Sequence, residues 1–274
     1  MPEVLTNGIR TYYEAEGGGP AVVLIHGHAA DLRLWDGQVR PLVEHGYRAI
    51  RYDVRGHGRS QAPDSGYAWP VYAADLRDLL DALGEERAHL VGLSMGGGIA
   101  LQFALDQPDR TASLVLIDST LPGYSYSEEM SGSVLALYEA VRRQGPHPTF
   151  ERLWLEHPMF HTLRRFPDRL ALLETMARAY SAKEYLVDAE PPEGPQIADR
   201  LHEIRAPALV MVGELDLPDF QATALILAEN LPHARHLVIA DAGHVASLEQ
   251  PDQVNTALLD FLHNVMTGLI DPRR

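Results

Sequence analysis

The sequence predicts an α/β protein in which a mostly parallel sheet is covered by helices on both faces and interrupted once by a helical insert. Three observations predict it. Short apolar runs such as Ala21–Ile25 (AVVLI) and Ala208–Val212 (ALVMV) read as strands buried on both faces. These runs alternate with amphipathic helical stretches, the rhythm of crossover connections. From Leu121 to about Ile197 the strands cease and only helical stretches separated by prolines follow.

In chain order, Ile9–Glu16 alternates loosely and runs into Gly17-Gly18-Gly19-Pro20, a first strand or hairpin closed by a turn. Ala21–Ile25 follows as a strand, Leu34–His45 as a helix and Arg48–Tyr52 as a second buried strand. Pro70–Leu83 is strongly helical. Pro70 stands near its start, where a missing N–H costs nothing, and Val71, Ala74, Leu76, Leu79, Leu80 and Leu83 share one side. His89–Val91 is a short strand, Gly97–Ala104 a helix apolar on every side, and Ser113–Ile117 another strand. In the insert, helices are expected at Glu128–Arg143, Thr149–Glu156, Asp168–Tyr180 and Ser181–Asp188, closed by the linker Pro191-Pro192-Glu193-Gly194-Pro195. The sheet resumes with Ala208–Val212, a helix at Phe220–Asn230, a strand at Arg235–Ile239 and a last helix at Asp252–Met266. The expected division is a core of residues 1–120 and 198–274 carrying a helical cap of residues 121–197.

At 274 residues one large domain with an insert can bury a sizeable core. The formal net charge of -15 and the lack of a basic block argue against a nucleic-acid partner, since no such block would neutralise phosphates. With no cysteine, disulfides and cysteine metal sites are excluded. The start, MPEVLTNGIR, has no basic stretch leading into an apolar one, and no apolar run is long enough to span a bilayer. A cytoplasmic protein without membrane contact is expected.

The chemistry centres on Ala88–Ala104, AHLVGLSMGGGIALQFA. Gly92-Leu93-Ser94-Met95-Gly96 is a G-x-S-x-G sequence between a strand and a helix, the context a nucleophile elbow needs. The serine must sit on a sharp, strained turn, and side chains at 92 and 96 would collide there, so both positions are glycine. The following helix turns its free N–H groups and positive dipole end towards the place where an oxyanion would form. A serine hydroxyl is a poor nucleophile at neutral pH and needs a base, which in turn needs an orienting acid. Of 13 histidines, only His244 stands in the loop directly after the last strand. Asp216 stands in the loop after the penultimate strand, with Glu214 and Asp219 as near rivals and Asp118 as a distant one. An oxyanion hole needs two backbone N–H groups. Met95 supplies one as the residue after the nucleophile, and His28, in the loop Ile25-His26-Gly27-His28, supplies the other.

Read together, HGH at 26–28, DVRGHGRS at 53–60, GLSMGGG at 92–98, GELD at 213–216 and AGHVASLEQPD at 242–252 resemble the α/β-hydrolase superfamily. The resemblance is to its capped carboxylesterase, enol-lactonase and cofactor-free haloperoxidase group, and it covers nearly the whole chain outside the cap. It implies Ser94, Asp216 and His244 as a catalytic triad and the Met95 and His28 amides as the oxyanion hole. It implies no cofactor and no metal. It makes DVRGHGRS a structural turn beneath the site rather than a source of catalytic groups. Haloalkane dehalogenases share the fold but carry an aspartate where this chain has Ser94, which argues against dehalogenation.

Other motifs fail on spacing. His26-Gly27-His28-Ala29-Ala30-Asp31 has its acid one place late for a binuclear metal motif and lacks a third histidine. The glycines of 92–98 are not followed by Gly-Lys-Ser/Thr, and Gly56-His57-Gly58 lacks the third glycine of a dinucleotide fingerprint. Among the cap aromatics, Tyr124, Tyr126 and Trp154 are candidates for a substrate pocket. The expected activity is hydrolysis of a small carboxylic ester through an acyl-enzyme. Lactone or carbon–carbon bond hydrolysis, with perhydrolysis as a side reaction, is the alternative. A silent ligand receptor on the same fold is the reading from a different class.

Overall fold

A computed structural model describes residues 2–187 and 196–270. Eight strands form one sheet: β1 (Glu3–Thr6), β2 (Ile9–Glu16), β3 (Ala21–Ile25), β4 (Arg48–Tyr52), β5 (Ala88–Leu93), β6 (Thr111–Ile117), β7 (Ala208–Gly213) and β8 (Ala234–Ile239). Their order across the sheet is β1-β2-β4-β3-β5-β6-β7-β8. β2 pairs antiparallel with both β1 and β4, and β3 to β8 run parallel. The sheet thus starts earlier than the sequence reading placed it. Asn7 and Gly8, both at positive φ (43° and 84°), make the tight turn that folds β1 onto β2.

The order reverses at β3. The chain leaves β3 outwards to β4 through α1 (Asp36–Glu44), then returns past β3 to β5 through α2 (Trp69–Leu83). α1 and α2 cover opposite faces. Val23, Ile25, Leu90, Leu114 and Leu116 pack with Leu76 and Leu79 of α2 and with Ile99 and Phe103 of α3 (Met95–Asp106). Their sheet neighbours Val22, Leu24, Val91, Val115 and Ile117 point the other way, against Leu42 of α1 and Leu258 and Leu262 of the last helix, Pro251–Met266. This alternation is the two-residue period of a strand, and each such buried side chain contributes about 1.5–3 kcal/mol. A reversal of this kind leaves a crevice at the C-terminal ends of the two adjacent strands, where open α/β sheets bind ligands. Here those ends are Ile25 and Leu93.

After β6 come α4 (Glu128–Gln144), α5 (Thr149–Glu156) and α6 (Pro167–Ala179). Ser127 caps α4, its hydroxyl accepting from the Met130 N–H at 3.2 Å. The helix expected at Ser181–Asp188 is only a 3₁₀ turn, Lys183–Leu186, because Ala182 at φ 49° sets the chain off in a left-handed conformation. Asp188 and the linker Pro191–Pro195 lie outside the described residues. Leu137, Val141, Phe150, Tyr180, Ala182 and Tyr185 form a third apolar cluster with Ala29 of the core. The segment enters and leaves at one place: the Ala198 N–H donates to the Pro122 carbonyl at 3.1 Å, and a β-carbon on Gly123 would press on Gln196. The chain then runs through α7 (Ile197–Arg200), α8 (Pro218–Asn230), α9 (Ala246–Glu249) and α10 (Pro251–Met266). Among the described residues no helix is long and apolar enough to cross a membrane.

Candidate active site

Ser94 links β5 to α3 at φ 52°, ψ −115°, a conformation costing about 1–3 kcal/mol for a side-chain-bearing residue. Its surroundings hold it there. The Ser94 N–H donates to the Ile117 carbonyl at 3.0 Å, and its own carbonyl accepts from the N–H of Gly97 and of Thr120. A β-carbon on Gly92 would stand closer than 3.0 Å to the Gly96 carbonyl, and one on Gly96 would meet the Ile25 and His26 carbonyls equally closely. Both glycines are therefore required by contact. Gly27 also lies against the elbow, less tightly, with the Leu93 side chain 3.0 Å and the Ser94 Cβ 3.4 Å from where its own β-carbon would be.

Ser94, His244 and Asp216 meet although they are far apart in the chain. His244 Nε2 lies 3.0 Å from Ser94 Oγ, and Nδ1 lies 3.0 and 3.2 Å from the two Asp216 carboxylate oxygens. A carboxylate only accepts, so Nδ1 carries the proton and Nε2 offers its lone pair to the serine hydroxyl. All three are buried, and the Phe220 ring lies 4.0 Å from the His244 ring, centre to centre. Asp216 also accepts from the Leu217 N–H at 2.7 Å.

The rival acids are engaged elsewhere. Glu214 accepts from the Asp241 N–H at 3.0 Å, and Asp219 accepts from the Ser127 N–H and hydroxyl at 2.9 and 2.6 Å. Asp118 is fully buried at φ 47°. One of its oxygens accepts from the Gly213 N–H at 2.8 Å and the other from the Ala246 N–H at 3.1 Å. It thereby joins the loop bearing Asp216 to the loop bearing His244. Burial, and then the nearby Asp216, push its carboxyl well above the ordinary range.

Met95 opens α3, and His28 ends the loop after β3. Among the described residues neither N–H has a hydrogen-bond acceptor. The first N–H groups of a helix have no partner within it, so Met95 is free to donate outwards. The remaining motif residues are structural in their contacts. His26 donates from Nδ1 to the Gly27 carbonyl and accepts at Nε2 from the Val54 N–H, and burial pulls its pKa down to about 4. Asp53 accepts from the N–H of Leu32 and of Arg59, and Arg55 forms a two-pronged pair with Asp75 at 2.6 and 2.7 Å. His57 donates to the Arg55 carbonyl.

The His28 side chain is mostly covered rather than exposed, with Trp154 and Tyr180 rings 5.1 and 5.0 Å from its own. Tyr126 accepts from the Leu121 N–H at 3.1 Å and packs on Phe220, while Tyr124 stands edge-on to Tyr126. Tyr124 also borders a cavity of about 450 Å³ with Met130, His157, Leu217, Glu129 and Asp219. Leu217, the residue after Asp216, lines that cavity, whereas Ser94, Asp216 and His244 do not. No arginine or lysine borders it among the described residues.

One set of contacts was not readable from the sequence. Thr162 of the insert donates to Glu249 Oε1 at 3.0 Å, and Glu249 Oε2 accepts from the Gly243 N–H at 3.1 Å. Arg165 holds the Asp241 carboxylate and carbonyl at 2.5 and 2.7 Å, and Arg169 holds the Glu249 carbonyl at 2.7 Å. The insert therefore grips the histidine loop on both sides of His244.

Comparison with known proteins bears on the family and the fold. A family model described as alpha/beta hydrolase fold matches residues 20–251. The chain is 34% identical over 265 residues to a 2-hydroxy-6-oxononadienedioate/2-hydroxy-6-oxononatrienedioate hydrolase of Paraburkholderia phymatum, covering 93% of this chain and 91% of that one. Among solved structures it is similar to Est816, described as an N-acyl homoserine lactone degrading enzyme (31% identity, TM-score 0.80, 95% of this chain and 100% of that one). It is also similar to a thermophilic esterase from Thermogutta terrifontis (30% identity, TM-score 0.82, 96% and 97%).

Proposed function

The chain belongs to the alpha/beta hydrolase family, and from that premise we propose that Ser94, His244 and Asp216 form the catalytic triad of an enzyme hydrolysing small carboxylic esters or lactones. The observation that carries the reading is the continuous chain of contacts from the Asp216 carboxylate through His244 to Ser94 Oγ. The residues 121–197 form the cap of this enzyme, seated on a core of residues 1–120 and 198–274, and a cytoplasmic location fits the reading.

His244 Nε2 takes the Ser94 proton as Oγ attacks the substrate carbonyl, and Asp216 stabilises the imidazolium that forms. The N–H groups of Met95 and His28 receive the oxyanion, each such donor supplying on the order of 3 kcal/mol. His244 then passes its proton to the departing alkoxide as the carbon–oxygen bond breaks. Water, deprotonated by the same imidazole, attacks the acyl-enzyme, and the imidazolium returns that proton to Ser94 Oγ as the acyl carbon–oxygen bond breaks and the acid leaves.

Similarity to a lactone-degrading enzyme and to an esterase, each at 30% identity or more, supports esters and lactones as substrates. The test is hydrolysis of p-nitrophenyl esters and simple lactones, with Ser94→Ala as the control. The variant should lose kcat by on the order of a millionfold. Retention of most of the activity by Ser94→Ala overturns the mechanism.

A further inference from the structure

The His28 side chain is held by the insert. Its Nε2 lies 2.8 Å from the Tyr185 hydroxyl, and Glu184 Oε1 stands 3.4 Å from its Nδ1. A carboxylate facing Nδ1 keeps the ring proton on that nitrogen, so Nε2 accepts from the Tyr185 O–H. Burial lowers the pKa of this imidazole, which is consistent with a neutral ring. The next residue, Ala29, is fully buried at φ 54°, a conformation an alanine keeps only where its surroundings enforce it. Those surroundings are again the insert: Ala29 packs with Leu137, Phe150, Tyr180, Ala182 and Tyr185.

Residues 181–187 are in turn fastened to their neighbours. Ser181 donates to the Gly56 carbonyl at 2.7 Å, Lys183 pairs with Asp64 at 2.7 Å, and Arg142 donates to the Tyr185 carbonyl at 2.9 Å. Tyr72 of α2 donates to the second Glu184 oxygen at 3.3 Å. The pair Glu184–Tyr185 is thus a fixed support for the His28 side chain, next to the strained residue Ala29.

We propose that Tyr185 and Glu184 are positioning residues for the oxyanion hole, holding the His28–Ala29 turn so that the His28 N–H points at the oxygen of the attacked carbonyl. The inference rests on the serine-hydrolase reading above and adds a catalytic duty to a segment that reading treats only as a cover. The side chains touch no reacting atom and act through residue 28.

The experiment compares the full chain with Tyr185→Phe and Glu184→Gln, alone and in a His28→Ala background, which keeps the residue 28 amide but removes the imidazole. Both substitutions preserve shape, and thermal midpoints check folding. If Glu184→Gln does not fold, Tyr185→Phe, which removes a single oxygen, decides. Steady-state kinetics on a p-nitrophenyl ester are measured beside inhibition by phenylboronic acid, whose serine adduct places an oxygen in the hole. The expected result is a fall in kcat of about 10- to 100-fold with KM changed less than about twofold, since a small misplacement acts mainly in the transition state. Boronate affinity should fall by a similar factor. In the His28→Ala background the added substitution should have almost no further effect, because the three side chains act as one unit. An unchanged kcat in a folded variant, or a loss that persists in full in that background, overturns the inference while leaving the triad standing. Failure of Ser94 in the unaltered protein to react with a fluorophosphonate overturns the serine-hydrolase reading and this inference with it.

Discussion

Gly213 and Gly243 touch backbone to backbone: a β-carbon on Gly213 would stand closer than 3.0 Å to the Gly243 carbonyl oxygen. The loop that carries Asp216 and the loop that carries His244 therefore meet without an intervening side chain. Gly213→Ala should part them. We expect a folded protein whose kcat/KM on p-nitrophenyl acetate falls by about 100-fold, the scale of a 1 Å misplacement. Full activity in that variant would show that the contact does not set the His244–Asp216 distance.

Asp118 joins the same two loops through a carboxylate that accepts from Gly213 and Ala246. Asparagine has one accepting oxygen, so Asp118→Asn leaves one of these buried N–H groups facing another donor. The expected cost is about 1–3 kcal/mol of stability, read from urea unfolding. Fluorophosphonate labelling of Ser94 should slow in the same variant. Unaltered stability and labelling together would remove Asp118 from this role.

The neutral histidines of the core set the acid limit of the fold. Burial lowers the pKa of both His26 and His89 to about 4. Such a group gives its full stabilisation above its ordinary pKa of 6.5 and loses it as the pH falls towards 4, because the unfolded chain takes the proton first. Asp53 works in the opposite sense. Burial raises its pKa to about 6, so its contribution is complete below the ordinary carboxylate value and fades as the pH rises through 6. The histidines lowered by burial (His26, His28, His57, His89 and His157) outnumber the aspartates raised by it (Asp53, Asp75 and Asp118), so stability should fall from pH 7.5 to pH 5.0. Denaturant titrations at pH 7.5 and 5.0 measure it, and equal or greater stability at pH 5.0 contradicts the assignment.

A charge preference follows if the acyl chain reaches the cavity lined by Glu129 and Asp219. p-Nitrophenyl butyrate should be hydrolysed at least about 10-fold more efficiently than mono-p-nitrophenyl succinate, which puts a carboxylate near the end of the acyl chain. Asp219→Asn with Glu129→Gln should narrow the gap, and so should added salt. Equal efficiencies in the unaltered enzyme would mean that the acyl chain does not approach this cavity.

Much of the architecture is legible because it is written locally. AVVLI needs only its own five side chains to read as a doubly covered strand, and Gly92 and Gly96 announce a crowded turn by lacking side chains. The acid was harder. Asp118 and Asp216 each follow a strand, and only the fold decides that the His244 ring faces Asp216 while Asp118 turns to two amides. The first strand was missed because Glu3–Thr6 has four residues and no pattern of its own; it exists through pairing with Ile9–Tyr12. The contacts of Thr162 with Glu249 and of Tyr185 with His28 span 87 and 157 residues, and no periodicity encodes such meetings.

The hydrogen bond between Ala198 and Pro122 has a practical meaning. Because the two ends of the intervening stretch already sit side by side, its length is not a dimension of the sheet. A differently sized helical module spliced between those points would alter what the pocket admits while the strands beneath keep their pairing. Nature and the protein engineer alike can treat it as an exchangeable cartridge, provided the newcomer supplies its own grip on residues 28 and 249.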